Sequence, residues 1–247
     1  MDFRTAADDF FVNLDLQTTL ALPTSRETIL QFCEAVQKEF QSMTSFYQRE
    51  DGHYVLEGDR DAGSYQWMEL QSHQLSAGWF NPAELSEAGE FHSWLLDRVV
   101  YFLGIGGLDV EALDVLVGLN MDYRGNRDAI VADALLGDGP MWALAGESPS
   151  KVVECQPNLV VALSEDCYTQ ARLSLETRCD SYQVRTGNYS DEPISIYLTV
   201  RQYPSPGKVL NLTASFARQC ELVEDLAVRI VVPQVAQPIA AAIASAG

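Results

Sequence analysis

The chain is predicted to fold as α+β, with antiparallel sheet and helices packed on one face. Three observations predict it: strand-like alternations, amphipathic helical stripes, and a strand–turn–helix pattern that recurs across the chain. At an offset of 101 residues, Leu14 and Leu16 fall on Val115 and Val117. The helix start SRETIL at 25–30 then falls on NRDAIV at 126–131. The sequence therefore reads as internally duplicated β-α-β-β(-β)-α units, residues 1–105 and 108–247, joined as one compact unit. The strands would form one antiparallel sheet or two, and two such sheets could lie side by side as one continuous curved antiparallel sheet.

Taken in order, residues 10–22 alternate, with Val12, Leu14 and Leu16 on one side and Asn13, Asp15 and Gln17 on the other. That is a half-buried strand. Thr24 with Glu27 three residues on reads as a capping box. Ile29, Phe32, Cys33, Val36 and Phe40 form the apolar stripe of the helix that follows. Asp51-Gly52 between two apolar runs signals a hairpin. SYQWMELQSHQLSAGWF reads as a further strand bent near Ser72, and a long helix is expected from Pro82. The glycines of FLGIGGLDV follow that helix where a C-terminal cap belongs, without the strand before them or the G-x-G-x-x-G spacing of a dinucleotide loop. They read as a connector.

In the second unit a strand is expected over 111–123 and a helix from Asn126, interrupted at GDGP, 137–140. KVVEC, LVVALS, YTQARLSLET and PISIYLTVRQY then read as strands. A last helix spans roughly 208–231, with Leu212, Phe216, Cys220, Val223, Ala227 and Ile230 inward. Beyond Pro233, Val235, Ile239 and Ile243 recur every four residues on one face. That tail should pack on its own body or on a second subunit, giving a homodimer.

The 35 acids against 16 bases give a formal charge of −19. Nucleic acid is an unexpected partner, because its binding is dominated by Lys and Arg neutralising phosphates. A membrane surface is disfavoured for the same reason. A basic protein partner suits the field. The acidic start, MDFRTAADDFF, does not read as an export signal, and five cysteines without a close pair read as reduced thiols. Both point to the cytoplasm.

No catalytic residue can be assigned, because none of the common nucleophile, metal-protease or phosphate-loop motifs is present. No cofactor is implied. His53 and His73 with Glu69 form too sparse a set to imply a metal. The candidate contact residues are Arg26, Trp79, Tyr123, Arg124 and Arg127. Arg26 and Arg127 occupy matched first-turn positions and could anchor an anion in pairs, although a local ion pair is the commoner use of such residues. Tyr123 and Arg124 sit with Arg127 at one turn. Trp79 ends a strand, where it either anchors a partner or packs over a helix. The expectation is a cytoplasmic, non-enzymatic protein working through protein–protein contact. The alternative is a small-molecule-binding protein, or an enzyme, with its site in the cleft between the two units.

Overall fold

The computed structural model describes residues 6–137, 139–145 and 150–246. The described residues form nine strands: β1 (Asp9–Thr18), β2 (Ser45–Gln48), β3 (Tyr54–Glu57), β4 (Tyr65–Leu70), β5 (Gln74–Phe80), β6 (Val110–Met121), β7 (Asn158–Ala162), β8 (Thr169–Glu176) and β9 (Ile194–Gln202). They form one sheet of order β2-β3-β4-β5-β1-β6-β9-β8-β7, antiparallel throughout. Of the one-sheet and two-sheet arrangements, the first is the one present. Its centre is the β1–β6 pair, where Leu14 lies opposite Val115 and Leu16 opposite Leu113.

Period-2 alternation gives the sheet two unlike faces. One face carries Leu14, Leu16, Leu75, Ala77, Val115 and Val200, all essentially inaccessible. Helices α1 (Arg26–Glu39), α2 (Leu85–Phe102) and α6 (Leu212–Leu226) cover it and bury their own stripes against it. Between β6 and β9 lie α3 (Arg127–Leu136), α4 (Trp142–Ala145) and α5 (Ser181–Thr186). The first half runs β1-α1-β2-β3-β4-β5-α2 and the second β6-α3-α4-β7-β8-α5-β9-α6, so the expected internal duplication is not confirmed, although Ile29 on α1 and Ile130 on α3 are both buried in the shared core.

Four expectations are corrected. The cap of α1 is Ser25, not Thr24: the Thr28 N–H donates to its Oγ at 3.2 Å. The segment bent at Ser72 is two strands, with Leu70 paired to Leu75 across a tight turn. KVVEC, at 151–155, takes no strand because no neighbour pairs with it. The last helix does not stop near 231. It passes through a π-helical stretch, Ala227–Ala236, that contains Pro233, and then into α7 (Gln237–Ala246).

A proline lacks the N–H an α-helix needs, and a π turn is one way to absorb it. The wider turn also moves the inner face. Ile230, expected inside, is 37% exposed, while Val231, Val235 and Ile239 are buried. Helix 212–246 is long and apolar enough to cross a membrane by length and composition, and part of it packs against the sheet and α3.

Candidate functional site

The sequence-expected residues do not gather into one site. Arg26 opens α1 and is exposed. Trp79 is half-buried over α2, edge-on to Phe91 at 6.2 Å between ring centroids, and its indole N–H donates to Ser64 at 3.1 Å. Tyr123 and Arg124 do lie together, beside a shallow 280 Å³ hollow whose other walls are Asp122, Asp191 and Glu192. Arg124 is 83% exposed at its side chain and pairs with Asp191 at 3.0 Å. Burial, with Asp8, Asp9 and Asp191 nearby, pushes the Asp122 carboxyl up.

Arg127 is fully buried. Its guanidinium donates to the carbonyls of Thr177 (2.5 Å), Ser190 (2.8 Å) and Arg178 (3.3 Å) and to the Ser190 hydroxyl (3.1 Å). Next to it, Asp128 is also buried and accepts from the Cys155 N–H and the Thr177 hydroxyl, both at 2.7 Å. These two residues tie three separate loops to the start of α3. Burying the two charges is tolerable because the guanidinium is held by four hydrogen bonds and Asp128 Oδ1 by two, while Asp128 Oδ2 is buried without a partner.

A groove does open at the junction of the halves, at one end of α2 and α6, with a volume of 550 Å³. Its floor is Phe10, Val12 and Val115, its walls Leu85, Gly89, Cys220 and Val223, and its rim Glu84 and Glu224. Neither Tyr123, Arg124 nor a histidine reaches it. Burial, with Glu224 and Glu221 nearby, pushes the Cys220 thiol up to about 12, which favours its protonated form at neutral pH. His92 lies deeper on α2, fully buried between Phe91 and Phe216, and burial pulls its pKa down to about 3. His53 meets Glu69 at 3.0 Å, while His73 sits in the exposed β4–β5 turn. No group of three His, Cys, Asp or Glu side chains suited to a metal occurs among the described residues.

The most organised surface is the helix-free face of the sheet. The strand positions that alternate with the core place Phe11, Asn13 and Asp15 of β1 there. Beside them stand Tyr65, Trp67 and Glu69 of β4, Phe80 of β5 and Tyr197 of β9. The rings touch in a row. Tyr65 stacks on Phe80 at 5.4 Å, Phe80 on Phe11 at 6.3 Å, and Phe11 meets Tyr197 edge-on at 6.1 Å.

Two glycines make this possible. A Cβ at Gly118 would overlap the Phe11 ring, and one at Gly78 would overlap Asn13 Oδ1 and the Trp67 indole. With hydrogen in those places, large side chains lie down on the sheet. Ion pairs border the row: Arg60–Glu57 at 2.6 Å, Arg49–Glu69 at 3.0 Å, Arg178–Glu176 at 2.9 Å and Arg201–Asp114 at 2.5 Å. Burial pushes Asp114 up, against the pull of Arg201. Sequence reading missed this face because it took the β1 alternation as apolar against polar. Phe11 on the polar side, with glycines in the facing strands, was the available signal.

No protein-family model matches the chain, and no curated protein matches it. Among solved structures, a rolling circle replication initiator protein from Geobacillus stearothermophilus is similar at 8% identity, over 90% of this chain and 83% of that one, with a TM-score of 0.26. A likeness that slight carries no argument about fold or function.

Proposed function

We propose that the protein is a non-enzymatic, cytoplasmic binding module whose helix-free sheet face docks a protein partner of net positive charge. The observation that carries this is the row of touching aromatics bordered by arginine–carboxylate pairs. Aromatic residues and arginine are the types enriched where protein interfaces bury their centres. Three of the rings, Phe11, Phe80 and Tyr197, come from strands at or beside the centre of the sheet, so the surface is rigid before a partner arrives. The net charge of −19 supports a basic partner, because it speeds encounter with opposite charge and repels nucleic acid. Five free cysteines support the cytoplasmic assignment.

The test is affinity capture from the native host with wild type, Phe80→Ser, Tyr197→Ser and a helix-side control, Val228→Ser. Loss of one specific partner with the first two variants and its retention with the control is the expected result. Equal capture by all four removes the reading. Duplex DNA titrated at physiological salt is expected to show no sub-micromolar binding. A second reading has the junction groove holding an apolar small molecule, since its 550 Å³ falls in the size range of ligand sites. Narrowing it with Gly89→Leu would then abolish binding of that ligand without changing partner capture.

A further inference from the structure

Strand β7 has a sequence suited to the middle of a sheet and lies at its edge. Leu159, Val160, Val161, Ala162 and Leu163 form an unbroken apolar run, the pattern of a strand covered on both faces. Yet every residue of β7 is exposed. The other edge, β2, runs straight into Arg49, Glu50 and Asp51, charges of the kind that ordinarily guard an edge. β7 carries no charge, in a chain of net charge −19. We infer that β7 pairs with β7 of a second copy of this chain, antiparallel and in a register centred on Val160. The inference goes beyond the docking face proposed above and stands apart from it.

The backbone selects that occupant. The Leu163 N–H donates to the Thr169 carbonyl at 2.8 Å, and the Leu175 N–H to the Pro157 carbonyl at 3.0 Å. Odd-numbered residues along β7 therefore turn their backbone groups to β8. Alternation turns those of Asn158, Val160 and Ala162 outward, to the open edge. Against an antiparallel second β7, Val160 of one copy lies opposite Val160 of the other, and Asn158 opposite Ala162. Each outward N–H then meets an outward carbonyl, and none is left over. The intervening pairs set Leu159 of each copy against Val161 of the other, aliphatic contacts that stabilise a sheet. A slip of two residues leaves an end residue unpaired, and a slip of one sets outward groups against inward ones. A foreign strand would have to match this length and register, whereas β7 matches itself by two-fold symmetry. The lack of charge matters too, because contact along β7 adds no like-charge pair to two acidic molecules. The two-fold axis runs through the sheet, so both helix layers stay on one side. Both aromatic faces then lie side by side on the other.

The test is sedimentation equilibrium on the full-length protein. Monomer and dimer are expected to exchange with a Kd on the order of 10 µM, weak because one short strand pair is smaller than a standard interface. Added salt should tighten the dimer roughly threefold, since it screens repulsion between acidic copies and no ion pair holds the seam. Val160→Pro removes an outward N–H and leaves the bonds to β8 in place, so the protein should fold and stay monomeric. Its circular dichroism spectrum checks the fold. Val160→Lys and Val160→Glu should each be monomeric alone, and their equal mixture should dimerise, because this register sets the two side chains face to face. Phe46→Lys, on β2, should leave dimerisation unchanged. A wild type that stays monomeric up to about 200 µM overturns the inference. So does a dimer that survives Val160→Pro, or a mixture no more dimeric than its two components. Partner capture with Phe80→Ser and Tyr197→Ser is read separately, so either proposal can fail while the other stands.

Discussion

Arg127 shows how far one residue can depart from its local signal. Its first-turn position on a helix, next to Asp128, was legible, and it suggested an exposed cation with an acid beside it. The carbonyls it holds come from positions 50 and 63 residues later, and no local pattern announces them. Arg127→Met should cost more than about 3 kcal/mol in urea unfolding, because four hydrogen bonds to a buried charge are lost together. Arg124→Ala, which removes only an exposed pair, should cost under about 1 kcal/mol.

His92 gives a second test at this scale. Its folded pKa of about 3 lies below its ordinary 6.5, so protons bind the unfolded chain more tightly. Its contribution is fully present above about pH 6.5 and is lost as pH falls from there toward about 3, at up to about 1.4 kcal/mol per unit. Denaturant midpoints of wild type and His92→Phe should therefore diverge on acidification across that window. Parallel curves would show that another group sets the acid limit.

At the scale of elements, strands flanked by strong turn chemistry were readable and those without it were not. Asp51-Gly52 marked its hairpin. Gln71, Ser72 and His73 supply no glycine, asparagine or proline, so β4 and β5 merged into one reading. Helix 212–246 failed in the opposite way: Pro233 reads as a stop, and only packing of both sides of the proline against the body carries the helix through it. Deleting residues 233–247 should lower the melting temperature and leave the mass in solution unchanged, since Val235, Ala236 and Ile239 are buried within their own chain. Strand β7 makes a different prediction. Leu159, Val160 and Val161 are 62, 48 and 43% exposed at an open sheet edge that carries no charge. Such edges invite further pairing. Val160→Lys is expected to raise the concentration at which light scattering first detects aggregates.

For the whole molecule, the class and the one-faced helical layer were legible because period alone dictates which residues go inward. The candidate face was not, because its members lie on four strands far apart in sequence and become neighbours only through the order β4-β5-β1-β6-β9. The β1–β6 pair also fixes how the molecule unfolds. Both halves hang on that pair and share a single core, so chemical denaturation should show one transition by fluorescence and by circular dichroism alike. Two separated transitions would mean that residues 1–105 and 108–247 stand independently.

The same pair has a consequence for the nascent chain. β1 leaves the ribosome well before its partner β6, which begins at Val110. At about 5–20 residues per second, β1 waits several seconds with one rim unclaimed. During that delay β5 can take the other rim, leaving a half-built sheet whose backbone groups and inner leucines face water. Ribosome-bound chains arrested before residue 110 should therefore recruit general chaperones strongly, and chains arrested after β6 has emerged should release them. The late closure of the central pair makes synthesis, more than the finished structure, the vulnerable moment for this protein.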